Sequence, residues 1–214
     1  MKFFLQDTFF LAKQVILMGY YGKKTAFIIG NGESRKPIKL DFLREKGIIY
    51  GCNALYRDFY PDVLVSLDQA MTKEILDSHY PGCHIYKSEN QSKLGLFLVD
   101  QDANKVTLNK GWSSGATAAF LAASCVEFDN IYLIGFDVFK TQEVNNIYKN
   151  TKNYVSSTNK PISTVQFREQ LGHVMKNAPY KHFIWVNDYH KEIWPYTKNY
   201  SLMTVKEFKD KFGC

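Results

Sequence analysis

Two acids stand at the ends of apolar runs, where a carboxylate has the best chance of doing chemistry. Asp137 closes Asn130-Ile-Tyr-Leu-Ile-Gly-Phe-Asp137, and Asp68 closes Pro61-Asp-Val-Leu-Val-Ser-Leu-Asp68. If both runs are buried strands, a partly desolvated carboxylate at either end is a good general base. Asp68 could equally hold a ribose hydroxyl or a Mg²⁺ ion, or cap the helix that follows it. His190 lies just after a third apolar run, His182 to Asn187, and is the remaining acid–base candidate. His173, inside a helical segment, and His182, at a strand start, read as structural.

Three short segments have the chemistry of an anion or nucleotide site. Gly30-Asn31-Gly32-Glu33-Ser34 follows a buried run, so its glycines let the backbone turn sharply and approach a ligand. A helix after it would offer free amides to a phosphate. Asn53 follows a second run and carries both a donor and an acceptor, suited to a base or ribose. Gly111-Trp112-Ser113-Ser114-Gly115 leads into an alanine-rich helix, where two hydroxyls and a glycine could grip a phosphate or only cap the helix. Arg35 stands where the dinucleotide fingerprint needs its third glycine, and Cys52-Asn53 replaces the acid after strand two, so an NAD site is disfavoured. There is no P-loop and no HExxH.

These residues need elements that bring them together. Short apolar runs predict strands at Thr25–Gly30, Ile48–Cys52, Asp62–Leu67, Cys83–Tyr86, Asn130–Gly135 and His182–Asn187. Helices are expected over Pro37–Lys46, Ala70–Ser78, Ser114–Phe128, Thr164–Asn177 and Thr204–Phe212, with Ser88–Leu108 less clear. The alternation implies an α/β, Rossmann-like, mostly parallel sheet with helices on both faces. Ligands then bind beyond the carboxyl ends of the strands, where the unusual residues cluster. Polar Phe139–Ser163 reads as a long loop or lid, so that 138–163 could close over the site.

The length of 214 residues suits one domain. With 45% hydrophobic residues it can bury a sizeable core. Residues 1–22 carry an apolar stretch, Phe9–Met18, interrupted by Lys13 and Gln14, and no small-residue cleavage site follows. An amphipathic helix from Asp7 to Gly22 fits better than a secretory signal or a membrane span. Four cysteines without a CxxC pair suit a reducing, cytoplasmic setting. The charge of +6 favours an anionic partner: a nucleotide, a nucleic acid or a membrane surface. Self-association to a homo-oligomer is left open.

Phe27-Ile-Ile-Gly-Asn-Gly-Glu-Ser34, Cys52-Asn53-Ala-Leu-Tyr56, Ser113-Ser-Gly115 and Ile131-Tyr-Leu-Ile-Gly-Phe-Asp137, in this order, resemble the bacterial sialyltransferases of the Campylobacter type. Pro61 to Asp68 resembles the related DUF115 group, which includes motility-accessory flagellin glycosyltransferases and a hydroxymethylpterin pyrophosphokinase. The resemblance spans roughly Thr25 to Asp137. It implies a Rossmann-like fold that holds a nucleotide-sugar, with Asn31, Asn53, Ser114 and Gly115 on the donor. The family tyrosine two residues after the acid is Phe139 here, and the family histidine base has no counterpart among Ser163, Thr164 and Gln166.

The leading expectation is a glycosyltransferase with a nucleotide-sugar donor. Its acceptor is a glycan, a protein or a nucleic acid. Gly30, Asn31, Gly32, Ser34, Asn53, Ser113, Ser114 and Gly115 would bind the donor, helped by Lys110 or Lys23, and Asp137, Asp68 or His190 would handle protons. No cofactor is firmly implied. The alternatives are an ATP- and Mg²⁺-dependent pyrophosphokinase, with Asp68 as metal ligand, and a non-catalytic nucleotide- or nucleic-acid-binding module.

Overall fold

The computed structural model describes residues 24–80, 85–87, 94–97, 112–139, 141–189 and 193–214. The expected N-terminal helix, Lys23, Lys110, Gly111 and His190 lie outside them.

Six strands form a continuous parallel sheet: β1 (Thr25–Ile29), β2 (Ile48–Cys52), β3 (Val63–Ser66), β6 (Asn130–Ile134), β7 (His182–Val186) and β8 (Tyr200–Met203). Two antiparallel strands, β4 (Ile85–Lys87) and β5 (Leu94–Phe97), extend it beyond β3. Across the sheet the order is β4-β5-β3-β2-β1-β6-β7-β8. The parallel part is therefore doubly wound, with its direction of winding reversing between β1 and β6, and a crevice opens at such a point.

The central strands are apolar on both faces because both are covered. Successive side chains alternate. Ala26, Ile28, Tyr50, Leu133 and Trp185 enter one core, and Phe27, Ile29, Ile49, Ile134 and Val186 enter the other. Helices α2 (Ser114–Ser124) and α3 (Val165–Asn177) cover the first face. Helix α4 (Val205–Phe212), fixed by a Thr204/Glu207 capping box, covers the second. Helix α1 (Gln69–Asp77) packs Met71 and Ile75 beside β3 in a smaller cluster.

Three elements differ from the sequence expectation. No α-helix spans 37–46: short 3₁₀ turns form at Glu33–Arg35 and Leu40–Leu43. Leu40 and Leu43 are both buried, and a three-residue spacing is the one a 3₁₀ turn brings to one side. Helix α2 stops at Ser124 because Cys125 turns extended, which carries Phe128 into the core. Edge strand β8 was not anticipated; its half-exposed Tyr-Ser-Leu-Met run has no buried apolar pattern. Among the described residues no helix is long and apolar enough to cross a membrane.

Candidate functional site

At the reversal point the loops after β1 and β6 press together. The Gly30 amide donates to Ile134 O (2.7 Å), and the Gly32 amide to Gly135 O (2.9 Å). A Cβ on Gly30 would sit 2.4 Å from Gly135 O, and one on Gly32 would sit 2.5 Å from Asp137 Oδ2. Both glycines are therefore demanded by the neighbouring loop. The amides that follow are also committed: Glu33 N–H donates to Asn145 Oδ1 (2.8 Å) and Ser34 N–H to Asp137 Oδ2 (3.0 Å). The protein's own carboxylate thus fills the concavity where a phosphate was expected, and a three-residue 3₁₀ turn stands in place of the helix. Gly30, Asn31 and Gly32 still line the cavity; Ser34 does not.

The anion-ready feature is the start of α2. Ser113 caps it, accepting from Ala116 N–H through Oγ (3.2 Å), while Thr117 N–H bonds Ser113 O. Gln170 Oε1 holds the Ser113 amide (2.9 Å). Among the described residues this leaves the Ser114 and Gly115 amides, both at the cavity wall, without a protein acceptor. Ser114 Oγ accepts from Leu67 N–H (3.1 Å) and donates to Asn53 Oδ1 (2.9 Å). Asn53, in the left-handed region at φ 52°, is therefore held through its Oδ1, and its Nδ2 has no hydrogen bond to another described residue. Gly115 has no room for a side chain: a Cβ would lie 2.9 Å from the Phe136 ring.

The two acids are placed differently. Asp137 is buried, with Oδ2 taken by Ser34 N–H and Oδ1 by Asn187 Nδ2 (2.9 Å). An ionised carboxylate has about four lone-pair sites, so two remain for a ligand. Asp68 is exposed and caps α1, accepting Met71 N–H on Oδ1 (3.0 Å). Both line a cavity of about 450 Å³, a size common for small-molecule sites. The expected structural histidines behave so: His173 packs against Trp112, and His182 bonds Ser201.

Sequence reading missed the residues of 141–163 that complete the site. This segment is docked as a strap across the strand ends. Ile147 N–H donates to Asn31 O (2.8 Å), and Tyr154 OH accepts from Asn31 Nδ2 (3.1 Å) and Ala54 N–H (3.4 Å). Arg35 Nη2 donates to Tyr148 OH (2.9 Å), and Arg57, ion-paired to Glu74, reaches Thr151 and Lys152. Burial pushes both phenols well above the ordinary tyrosine range, so they stay protonated. The available signal was the pair of tyrosines set among asparagines, Asn145-Asn-Ile-Tyr148 and Asn153-Tyr154.

Charge at the site is uneven. Its described lining holds Asp68 and Asp137 but no lysine or arginine. The buried Arg35 guanidinium lies behind the wall, its Cδ 3.2 Å from the point where a Gly135 Cβ would be, and its Nε has no partner among the described residues. Cys52 also lines the cavity; burial pushes its thiol up to about 12, against the pull of Arg35, so it is a neutral wall group and no nucleophile. Among the described residues no three His, Cys, Asp or Glu side chains gather as a metal site.

One ion pair in the strap's dock is expected to respond to pH. Lys149 hydrogen-bonds Glu33 (2.9 Å) and, with Lys36 beside it, holds that carboxyl below its ordinary 4.5. The contribution is whole above pH 4.5 and is lost as pH falls through the lowered folded value. Glu33→Gln is expected to cost about 0.5–1 kcal/mol at neutral pH, the range of a half-exposed pair. Urea unfolding at neutral pH and at about pH 3 should show the gap to the parent closing in acid. A gap of constant size would assign the effect to packing.

Comparison with family models, with curated proteins and with solved structures finds no match to this chain.

Proposed function

We propose that this protein is a glycosyltransferase that binds a nucleotide-activated sugar across the β1/β6 crevice. The observation that carries the reading is the unspent start of α2: Ser114 and Gly115 line the cavity, their amides have no acceptor among the described residues, and Asn53 is fixed beside them by Ser114. A phosphate gains there from the amides and from the helix dipole. In the reaction the acceptor oxygen bonds the anomeric carbon, and the bond from that carbon to the nucleotide phosphate breaks. The phosphate leaves with the electron pair toward the α2 amides, and the acceptor proton passes to Asp137.

One observation favours a second reading. A lining with two carboxylates and no described cation suits a divalent ion, with the uncommitted oxygen of Asp68 as a ligand. That arrangement would serve diphosphate transfer from ATP.

A thermal-shift panel of nucleotides and nucleotide-sugars, with and without Mg²⁺, tests both readings. Ser113→Asp is the decisive variant. Asp caps a helix as well as Ser does, so folding is retained. It also adds a negative charge at the cavity wall, which should weaken nucleotide binding at least tenfold. An unchanged shift in the variant would remove the α2 start as the anion site. A shift seen only with ATP and Mg²⁺ would assign the second reading.

A further inference from the structure

The cavity is more polar on one side than on the other. Over the ends of β1 to β3 it is lined by Asn31, Asn53, Asp68 and Ser114. Beyond β6 and along α3 it is lined by Phe136, Val138, Ile162, Phe167 and Leu171. The segment beyond β6 adds Asn145, Asn153 and Tyr154, which are bonded toward Glu33, Glu74 and Asn31 on the polar side, and Thr141, Asn146 and Thr164; Asp137 at the border is turned to Ser34 and Asn187. At the mouth Ile162 is 60% exposed, inside Ser156–Thr164, a run otherwise polar apart from Pro161. Val165, next to the lining Thr164, is 46% exposed.

A free oligosaccharide has hydroxyls on every edge, and each one buried without a partner is costly. Two threonines and Asn146 cannot satisfy them all. A nucleic acid needs cations along its backbone, and the described lining holds none. An alkyl chain needs no partners and gains with each methylene removed from water.

Resting on the transferase reading, we infer that the apolar half receives the acceptor, and that the acceptor is an amphiphile: a hydroxyl-bearing head that reaches Asp137, on an alkyl chain that lies along Phe167 and Ile162. The nucleotide occupies the polar half, so the head meets the anomeric carbon at the border between them. The head's proton goes to Asp137, its oxygen takes the sugar, and the nucleotide leaves as described above.

The test compares n-octyl β-D-glucopyranoside, kept below its micelle concentration, with methyl β-D-glucopyranoside by calorimetry. Parent and Ile162→Asp are both titrated, with the nucleotide-induced thermal shift recorded in parallel. Ile162 is mostly exposed, so its replacement leaves the fold intact. The parent is expected to bind the octyl glycoside at least tenfold more tightly than the methyl glycoside. In Ile162→Asp that preference falls severalfold while the nucleotide shift is unchanged. Equal binding of the two glycosides by the parent, or an octyl preference untouched in Ile162→Asp, overturns the inference. A nucleotide shift without an octyl preference rejects the acceptor class and leaves the transferase reading standing. An octyl preference that Ile162→Asp abolishes, with no nucleotide bound, keeps the amphiphile site and rejects the transferase.

Discussion

Asp137→Asn is expected to cut sugar transfer by roughly 10²–10⁴-fold, the usual loss when a general base is removed, with donor affinity near the parent value. Asp137 is buried and borders both halves of the cavity, and two of its lone-pair sites remain open. The same contacts make it a structural pin, so the variant also bears a folding cost. An asparagine accepts at one position only, and its NH₂ must face either the Ser34 amide or the Asn187 amide, both donors. That loss is about 1–3 kcal/mol. Turnover must therefore be read per folded, donor-saturated molecule, with unfolding measured beside it. Asn187→Ala separates the roles, since it removes one of the two pinning bonds and leaves the carboxylate. If Asp137 is the base, Asn187→Ala loses far less turnover than Asp137→Asn at comparable stability. If both variants lose stability alike and turn over like the parent, Asp137 is a pin and no base.

The sheet was legible because its central strands are continuous apolar runs, a pattern that covering on both faces enforces. Tyr200–Met203 escaped notice because an edge strand half open to water needs no such run. At the site the positions were legible and the bonding was not. Asn31, Asn53, Ser114 and Asp137 could be placed at strand ends or a helix start from local sequence alone. Ser34 could not be known to lose its amide to an acid 103 residues away, nor Glu33 to an asparagine 112 residues away. Glycines spaced for a phosphate turn and glycines spaced for a neighbouring loop look alike in sequence, because each requirement is only for a missing Cβ. The strap carries no helical or strand period, so its side chains reveal their positions only through long-range hydrogen bonds.

The second large effect lies at the far end of α2. Lys181→Met is expected to destabilise the protein by about 3–5 kcal/mol. Lys181 is buried, and its Nζ donates to Cys125 O (2.6 Å), Phe128 O (2.5 Å) and, more weakly, Val126 O (3.4 Å). An ammonium has three N–H donors and no acceptor, which matches three carbonyls. These carbonyls belong to the turn where α2 ends, so the charge also opposes the negative end of the helix dipole. Methionine fills much the same volume but leaves the carbonyls buried and unpaired, and bonds to a charged donor are the costly ones to lose. Burial lowers the Lys181 pKa from its ordinary 10.5, while Cys125, Asp129 and Glu127 oppose that shift. With a folded value below the unfolded one, the unfolded chain binds more protons between the two. The titration of Lys181 therefore adds stability as pH rises through that window and is neutral below it. The variant should be compared with the parent by urea unfolding near neutral pH. In a domain of this size the loss corresponds to a fall in Tm of roughly 10 °C. The cavity lies at the other end of α2, so nucleotide affinity of the folded variant should match the parent. A change under 1 kcal/mol would mean that water replaces the ammonium at these carbonyls, and the lysine would then not be what fixes the helix that presents Ser114 and Gly115.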